Sequence, residues 1–148
     1  MKRIEQLQDL SRDHHQGLVI ARKATRAAAA GEMSVARAWA MVERRFAAEL
    51  DPHFGLEEEY LLPVLESAGM QEWADRVLAE HAQLRLLTAE GAERSADSLA
   101  EFGQLLERHI RFEERELFET AQERIDAAAF ERLSAACLLH PRTCSIED

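Results

Sequence analysis

Along this chain apolar residues recur every three or four positions, and at six of those inward places the pattern is interrupted by His or Glu. The period is helical, since alternating runs and Asn-Gly or Asp-Gly turns are missing from the sequence. The interruptions are His14, His53, Glu57, His81, His109 and Glu113. A buried imidazole needs partners for both ring nitrogens. A buried carboxylate costs several kcal/mol unless it is paired or bound to a metal. A chain carrying all six must therefore fold into something that satisfies them together.

The apolar pattern divides into long helices. The first spans about Lys2 to Ala30, with Ile4, Leu7, Leu10, His14, Leu18, Ala21, Thr25 and Ala28 inward, and stops at Gly31. Ser34 is a cap for the second, about Val35 to Ser67, whose inner line is Trp39, Val42, Phe46, Leu50, His53, Glu57, Leu61 and Val64. Asp51-Pro52 and Pro63 are expected to bend or divide it, or Asp51-Pro52 to cap a new segment with proline in its first turn. The third spans about Gln71 to Glu93, with Val77 or Leu78, His81, Leu84, Leu87 or Thr88, and Gly91 inward. Ser95 and Asp97 are capping residues for the fourth, about Ser98 to Arg124, with Leu99, Phe102, Leu106, His109, Glu113 and Leu117 on one face. A short fifth helix, about Ala127 to Leu139, buries Phe130, Leu133 and Cys137. The fold class expected is all-α: an up-down-up-down four-helix bundle over residues 1–140 with a short C-terminal fifth helix, then a tail at 141–148.

An internal echo runs through the pattern. His53-Phe54-Gly55-Leu56-Glu57-Glu58 resembles His109-Ile110-Arg111-Phe112-Glu113-Glu114, and leucine follows at the same offset, Leu61 and Leu117. His and Glu four apart lie on one helix face, about a turn from each other. Each such pair directs one nitrogen and one carboxylate to the bundle centre, and His14 and His81 add nitrogen from the other two helices. Four histidines supply four bonds, and two carboxylates that each bridge two metals supply four more. Two six-coordinate ions need about twelve, so positions remain for a bridging oxygen, water or a small molecule. Imidazole with carboxylate suits iron in preference to manganese or zinc, and an open position beside a redox metal points to dioxygen, peroxide or nitric oxide.

These residues resemble the hemerythrin-like family, also called HHE cation-binding domains. The resemblance is carried by Asp13-His14-His15, His53-Phe54, Glu57-Glu58, Leu61-Leu62-Pro63, Glu80-His81, and His109 with Phe112-Glu113-Glu114, and spans about Leu7 to Leu117. It implies a four-helix bundle around two non-haem iron ions with a bridging oxo or hydroxo group. The ligands carried over are His14, His53, Glu57, His81, His109 and Glu113. Oxygen-carrying members have a fifth histidine four residues after the third-helix ligand, where this chain has Arg85. That departure favours a sensing or redox role over reversible oxygen storage. In the first helix His15 is the alternative ligand or an outer partner. It lies about 100° round the helix from His14, which fits the Leu7-Leu10-Leu18 line better.

The surrounding residues have plainer readings. Glu58, Glu59, Glu114 and Arg115 read as solvated or ion-paired, with Glu58 or Glu114 as alternatives for supporting a ligand. Phe46, Tyr60, Phe112 and Phe118 read as core, one of them walling the site; Tyr60 is also a candidate donor to a bound oxygen species. Trp39 and Trp73 read as packing. Cys137 and Cys144 match no zinc spacing.

With 148 residues, one domain is expected. The net charge is −10, from 18 Lys and Arg against 28 Asp and Glu, which argues against nucleic acid and against a polybasic membrane anchor. No run approaches the ~20 apolar residues of a membrane span, and Met1 to Asp13 has no apolar signal core. Two cysteines make no disulfide framework, so the expected setting is cytoplasmic. The expectation is a protein that binds or senses dioxygen, nitric oxide or peroxide at a di-iron centre. The same centre serves an alternative enzymatic reading, peroxide decomposition or nitric oxide reduction. A third reading is a metal-free or zinc-containing helical interaction module.

Overall fold

Glycine decides how closely the helices approach. The chain's computed structural model describes residues 3–133 and Ala135, and every regular element among them is helical. Helix α1 (Glu5–Ala28) buries Leu7, Leu10, His14, Gly17, Ile20, Ala21 and Ala24. The expected line holds at Leu7, Leu10, His14 and Ala21, but beyond His14 it also shifts toward Gly17, Ile20 and Ala24, leaving Leu18 half-buried and Thr25 exposed. The shift follows from tight contact with α6 (Ala96–Phe112). A Cβ on Gly17 would stand 2.6 Å from Ile110 Cδ1, and one on Gly103 would stand 2.8 Å from the Ala21 carbonyl oxygen.

Gly31, at φ 100°, starts α2 (Glu32–Arg45) without a side-chain cap, and Ser34 lies inside the first turn rather than before it. The chain then remains helical through a π segment (Phe46–Leu50), α3 (Asp51–Leu56), a second π segment (Glu57–Leu61) and α4 (Leu62–Ser67). Pro52 and Pro63 each fall in the first turn after a π segment. The expected division is thus a change of hydrogen-bond ladder, not a break. A wider turn accommodates the missing N–H while the flanking residues keep right-handed helical angles. Asp51 caps nothing, because Leu50 before it is already helical.

Helix α5 (Gln71–Thr88) ends earlier than expected. Arg94 donates to the carbonyls of Leu87, Thr88, Ala89 and Ala92, and Gly91 turns at φ 83°, exposed rather than inward. Ser95 caps α6 by accepting from the Ser98 N–H, and Ser98 returns the bond; Asp97 takes no part in this cap. A third π segment (Glu113–Leu117) leads to α7 (Phe118–Arg124) and a 3₁₀ turn (Ala127–Phe130), with Phe130 and Leu133 buried. The remainder of the expected fifth helix, Cys137 and the 141–148 tail lie outside the described residues.

These elements form four rods: α1, α2 to α4, α5, and α6 to α7. Contacts join α1 to α2, α4 to α5, α5 to α6 and α6 to α1. The apolar interior forms two blocks. One gathers Leu7, Leu10, Leu61, Leu65, Val77 and Phe118; the other gathers Ile20, Val42, Phe54, Leu84, Phe102 and Ile110. Burying each such side chain contributes about 1.5–3 kcal/mol. The six interrupting polar residues are buried as well, forming a polar layer with the two blocks packed around it. Among the described residues no helix is long and apolar enough to cross a membrane.

Candidate metal centre

All six inward residues meet. His14 Nε2 lies 3.1 Å from His53 Nε2, 3.2 Å from Glu113 Oε2 and 3.7 Å from Glu57 Oε2. His81 Nε2 is 3.1 Å from Glu57 Oε1, and His109 Nε2 is 2.7 Å from Glu113 Oε1. The echo is visible in the backbone, since Glu57 and Glu113 each open a π segment that closes on the matching leucine. The extra residue of a π turn changes the helical phase and re-aims the side chains beyond the His-Glu pair. No proline opens the helix after the third π segment, so proline does not account for all three.

The outer nitrogens are also engaged, each by a carboxylate. His14 Nδ1 is 3.0 Å from Glu114, His53 Nδ1 2.9 Å from Asp13, His81 Nδ1 2.7 Å from Glu58, and His109 Nδ1 2.8 Å from Glu80. Glu58 and Glu114 are therefore histidine partners rather than merely solvated, while Glu59 and Arg115 are exposed. Sequence reasoning placed Asp13 and Glu80 within the family resemblance but gave them no chemical role. The available signal was adjacency: each outer carboxylate neighbours one inward residue and serves the histidine of the next rod.

Two faces close the layer. Phe54 stacks on His81 with ring centroids 4.0 Å apart, and Phe118 stacks on His14 at 5.4 Å. Phe118 was among the expected walls; Phe54 was not. Phe46 and Phe112 are buried, and Tyr60 packs against the block around Leu61. Trp73 stacks on Phe112, and Trp39 donates to the Ser95 carbonyl at 3.0 Å. His14 is buried and His15 exposed, which places His14 alone in the layer. Arg85 clamps Glu58 and Asp51.

The electrostatics reflect burial opposed by opposite charge. Burial disfavours charged His14, yet Glu113, Glu114 and Glu57 hold its pKa well above the usual value. His53 is raised in the same way against burial, by Glu57 and Asp13. For His109 burial is outweighed by Glu113 and Glu80, and its pKa rises to about 10. Burial would raise Glu57, but His53, Glu113 and His14 hold it well below the carboxylate range. The bond from His81, aided by Arg85 against partial burial, lowers Glu58 to about 2.

The donor set fits a metal. With Nδ1–H donated outward to a carboxylate, each imidazole presents a lone pair at Nε2. Four of the five buried side-chain polar atoms that make no well-directed hydrogen bond among the described residues belong here: Glu57 Oε2, His109 Nε2 and both oxygens of Glu113, the His109–Glu113 approach of 2.7 Å being a close ionic contact. Such atoms are costly unless something unites them. The residues form two groups, His14, His53, Glu57 and Glu113, and Glu57, His81, His109 and Glu113. In each group, ligand atoms from all four side chains lie within 4.8 Å of one another.

Comparison with known families finds that the hemerythrin HHE cation binding domain matches residues 6–121. Comparison with curated proteins and with solved structures returned no match.

Proposed function

Because the chain belongs to the hemerythrin HHE cation-binding family, we propose that it is a non-haem di-iron protein that binds or senses dioxygen, nitric oxide or peroxide. The observation that carries this reading is the pair of four-residue groups sharing Glu57 and Glu113. In this reading a residue common to both groups would bridge two metal ions. One position would then be held by His14 and His53, the other by His81 and His109, with both glutamates serving each.

Iron suits mixed imidazole and carboxylate ligation, and when bound it supplies open coordination positions and a one-electron couple. The chain supplies the rest. The outer carboxylates fix the tautomer and direction of every imidazole. Phe54, Phe118 and the two apolar blocks keep water from the layer, lowering the local dielectric. An up-down-up-down order of the rods belongs to the same reading, supported by short connections and by the contact of each rod with the next. So does a reducing, cytoplasmic setting.

The test is metal content per chain with a visible spectrum in air and under reductant. Two irons with charge-transfer bands that bleach on reduction are expected, with less iron in Glu57→Ala and Glu113→Ala. One zinc, no metal, or unchanged iron in both variants overturns the reading.

A further inference from the structure

Arg85 grips the histidine layer from outside. Its Nη1 donates to Glu58 Oε2 at 2.7 Å and its Nη2 to Glu58 Oε1 at 3.2 Å. His81 Nδ1 meets that same Oε2 at 2.7 Å, so imidazole and guanidinium share one oxygen. Arg85 Nε is anchored on Asp51 at 2.9 Å. The guanidinium carbon also stands 5.8 Å from the centre of the Phe54 ring, which stacks on His81 at 4.0 Å. A fixed positive charge therefore approaches His81 along two routes, and none of the Arg85 bonds goes to one of the six inward residues.

A carboxylate on Nδ1–H gives the imidazole anionic character and makes Nε2 a stronger donor, which favours the more highly charged state of a bound metal. A guanidinium paired with both oxygens of that carboxylate draws the charge back. The cation also opposes added positive charge nearby, in a buried layer where screening is weak. Both effects favour the reduced metal.

We propose that Arg85 is a positioning residue that raises the reduction potential of the metal centre, acting through Glu58 on His81. This inference rests on the two-iron reading above.

The experiment is an anaerobic, mediated redox titration of the iron-loaded full chain, followed by visible absorption, after iron per chain has been counted. Arg85→Gln moves the first one-electron equilibrium toward the oxidised state about 3- to 10-fold, which is a midpoint lower by about 30–60 mV at ~59 mV per tenfold. Arg85→Lys keeps the charge and shows less than half of that fall. Glu58→Gln removes the carboxylate charge and raises the midpoint. The opposite signs separate tuning from mere support, because a loosened, wetter site moves both variants the same way. Arg44→Gln deletes an exposed cation of α2 and serves as the control, with less than half of the Arg85→Gln fall. A midpoint unchanged or raised in Arg85→Gln, an equal fall in Arg85→Lys or Arg44→Gln, or no rise in Glu58→Gln overturns the inference with the two-iron reading intact. Loss of iron confined to Arg85→Gln does the same, since it makes Arg85 a support. Fewer than two irons in the unaltered chain overturns both.

Discussion

Substituting Gly103 by alanine tests how rigidly α1 is held against α6. The new Cβ would lie 2.5 Å from Thr25 Oγ1, 2.8 Å from the Ala21 carbonyl oxygen and 3.2 Å from the Thr25 nitrogen. Two of these atoms are backbone, so the contact is relieved only by moving a helix. Alanine gains about 1 kcal/mol over glycine in a helix interior. Overpacking costs about 1–3 kcal/mol, and contact with backbone puts this site toward the upper end. The expected net loss is about 1–2 kcal/mol, or a Tm lowered by about 2–8 °C for a chain of this size. Gly17→Ala is the control. Its nearest clash is the flexible end of Ile110 at 2.6 Å, and the next contact is an ordinary 3.7 Å to Leu50, so its net change is expected within about 1 kcal/mol. Urea unfolding of the metal-free chain, with Tm alongside, measures both. A Gly103→Ala chain as stable as the unaltered one, or a Gly17→Ala chain damaged more, refutes the claim that backbone contact sets the spacing.

His14→Ala is expected to lower metal content and His15→Ala to leave it unchanged, since only His14 lies in the layer; equal loss in both variants refutes this assignment. The pH response has a definite sign. In the metal-free chain the stability held by His109 is fully present below its ordinary 6.5 and is lost as pH rises through about 10. That held by Glu58 is present above 4.5 and is lost as pH falls toward about 2. Metal must displace the histidine protons, so the Tm gain on adding metal is expected to grow between about pH 6 and 9. A gain independent of pH across that range counts against proton displacement.

The inward histidines and glutamates were legible because each breaks an apolar line, and a break at helical spacing is visible without a structure. The prolines led the sequence reading to expect a bend or division near Asp51-Pro52 and Pro63, but the π turns opening at Glu57 and Glu113 were not foreseen; nothing in residue type alone separates a π turn from an α turn. The outer carboxylates were less legible. Asp13, Glu58, Glu80 and Glu114 look like any acidic residue beside a helix interior, and only the rotation of the neighbouring rod shows which histidine each faces. Gly17 and Gly103 were missed for a related reason. Reading periodicity through large apolar side chains assigns the inner line to Leu18 and Thr25, whereas close packing of α1 on α6 prefers the residues with least bulk. Gly91 failed in the opposite direction, because a carbonyl-capping arginine three residues later ends α5.

The outer pairings close on themselves. Asp13 of α1 holds His53 on the second rod, Glu58 there holds His81 on α5, Glu80 of α5 holds His109 on α6, and Glu114 on the last rod holds His14 on α1. Apolar contact is non-directional, so by itself it rewards burial rather than one particular pairing of groups. A circuit of charged hydrogen bonds does specify its pairings, since any rod that slips or rolls must pull on the neighbour it grips and on the neighbour that grips it. The circuit thus ties all four rods to one another at the height of the histidine layer, adding a directional hold on axial register to the close packing above and below it.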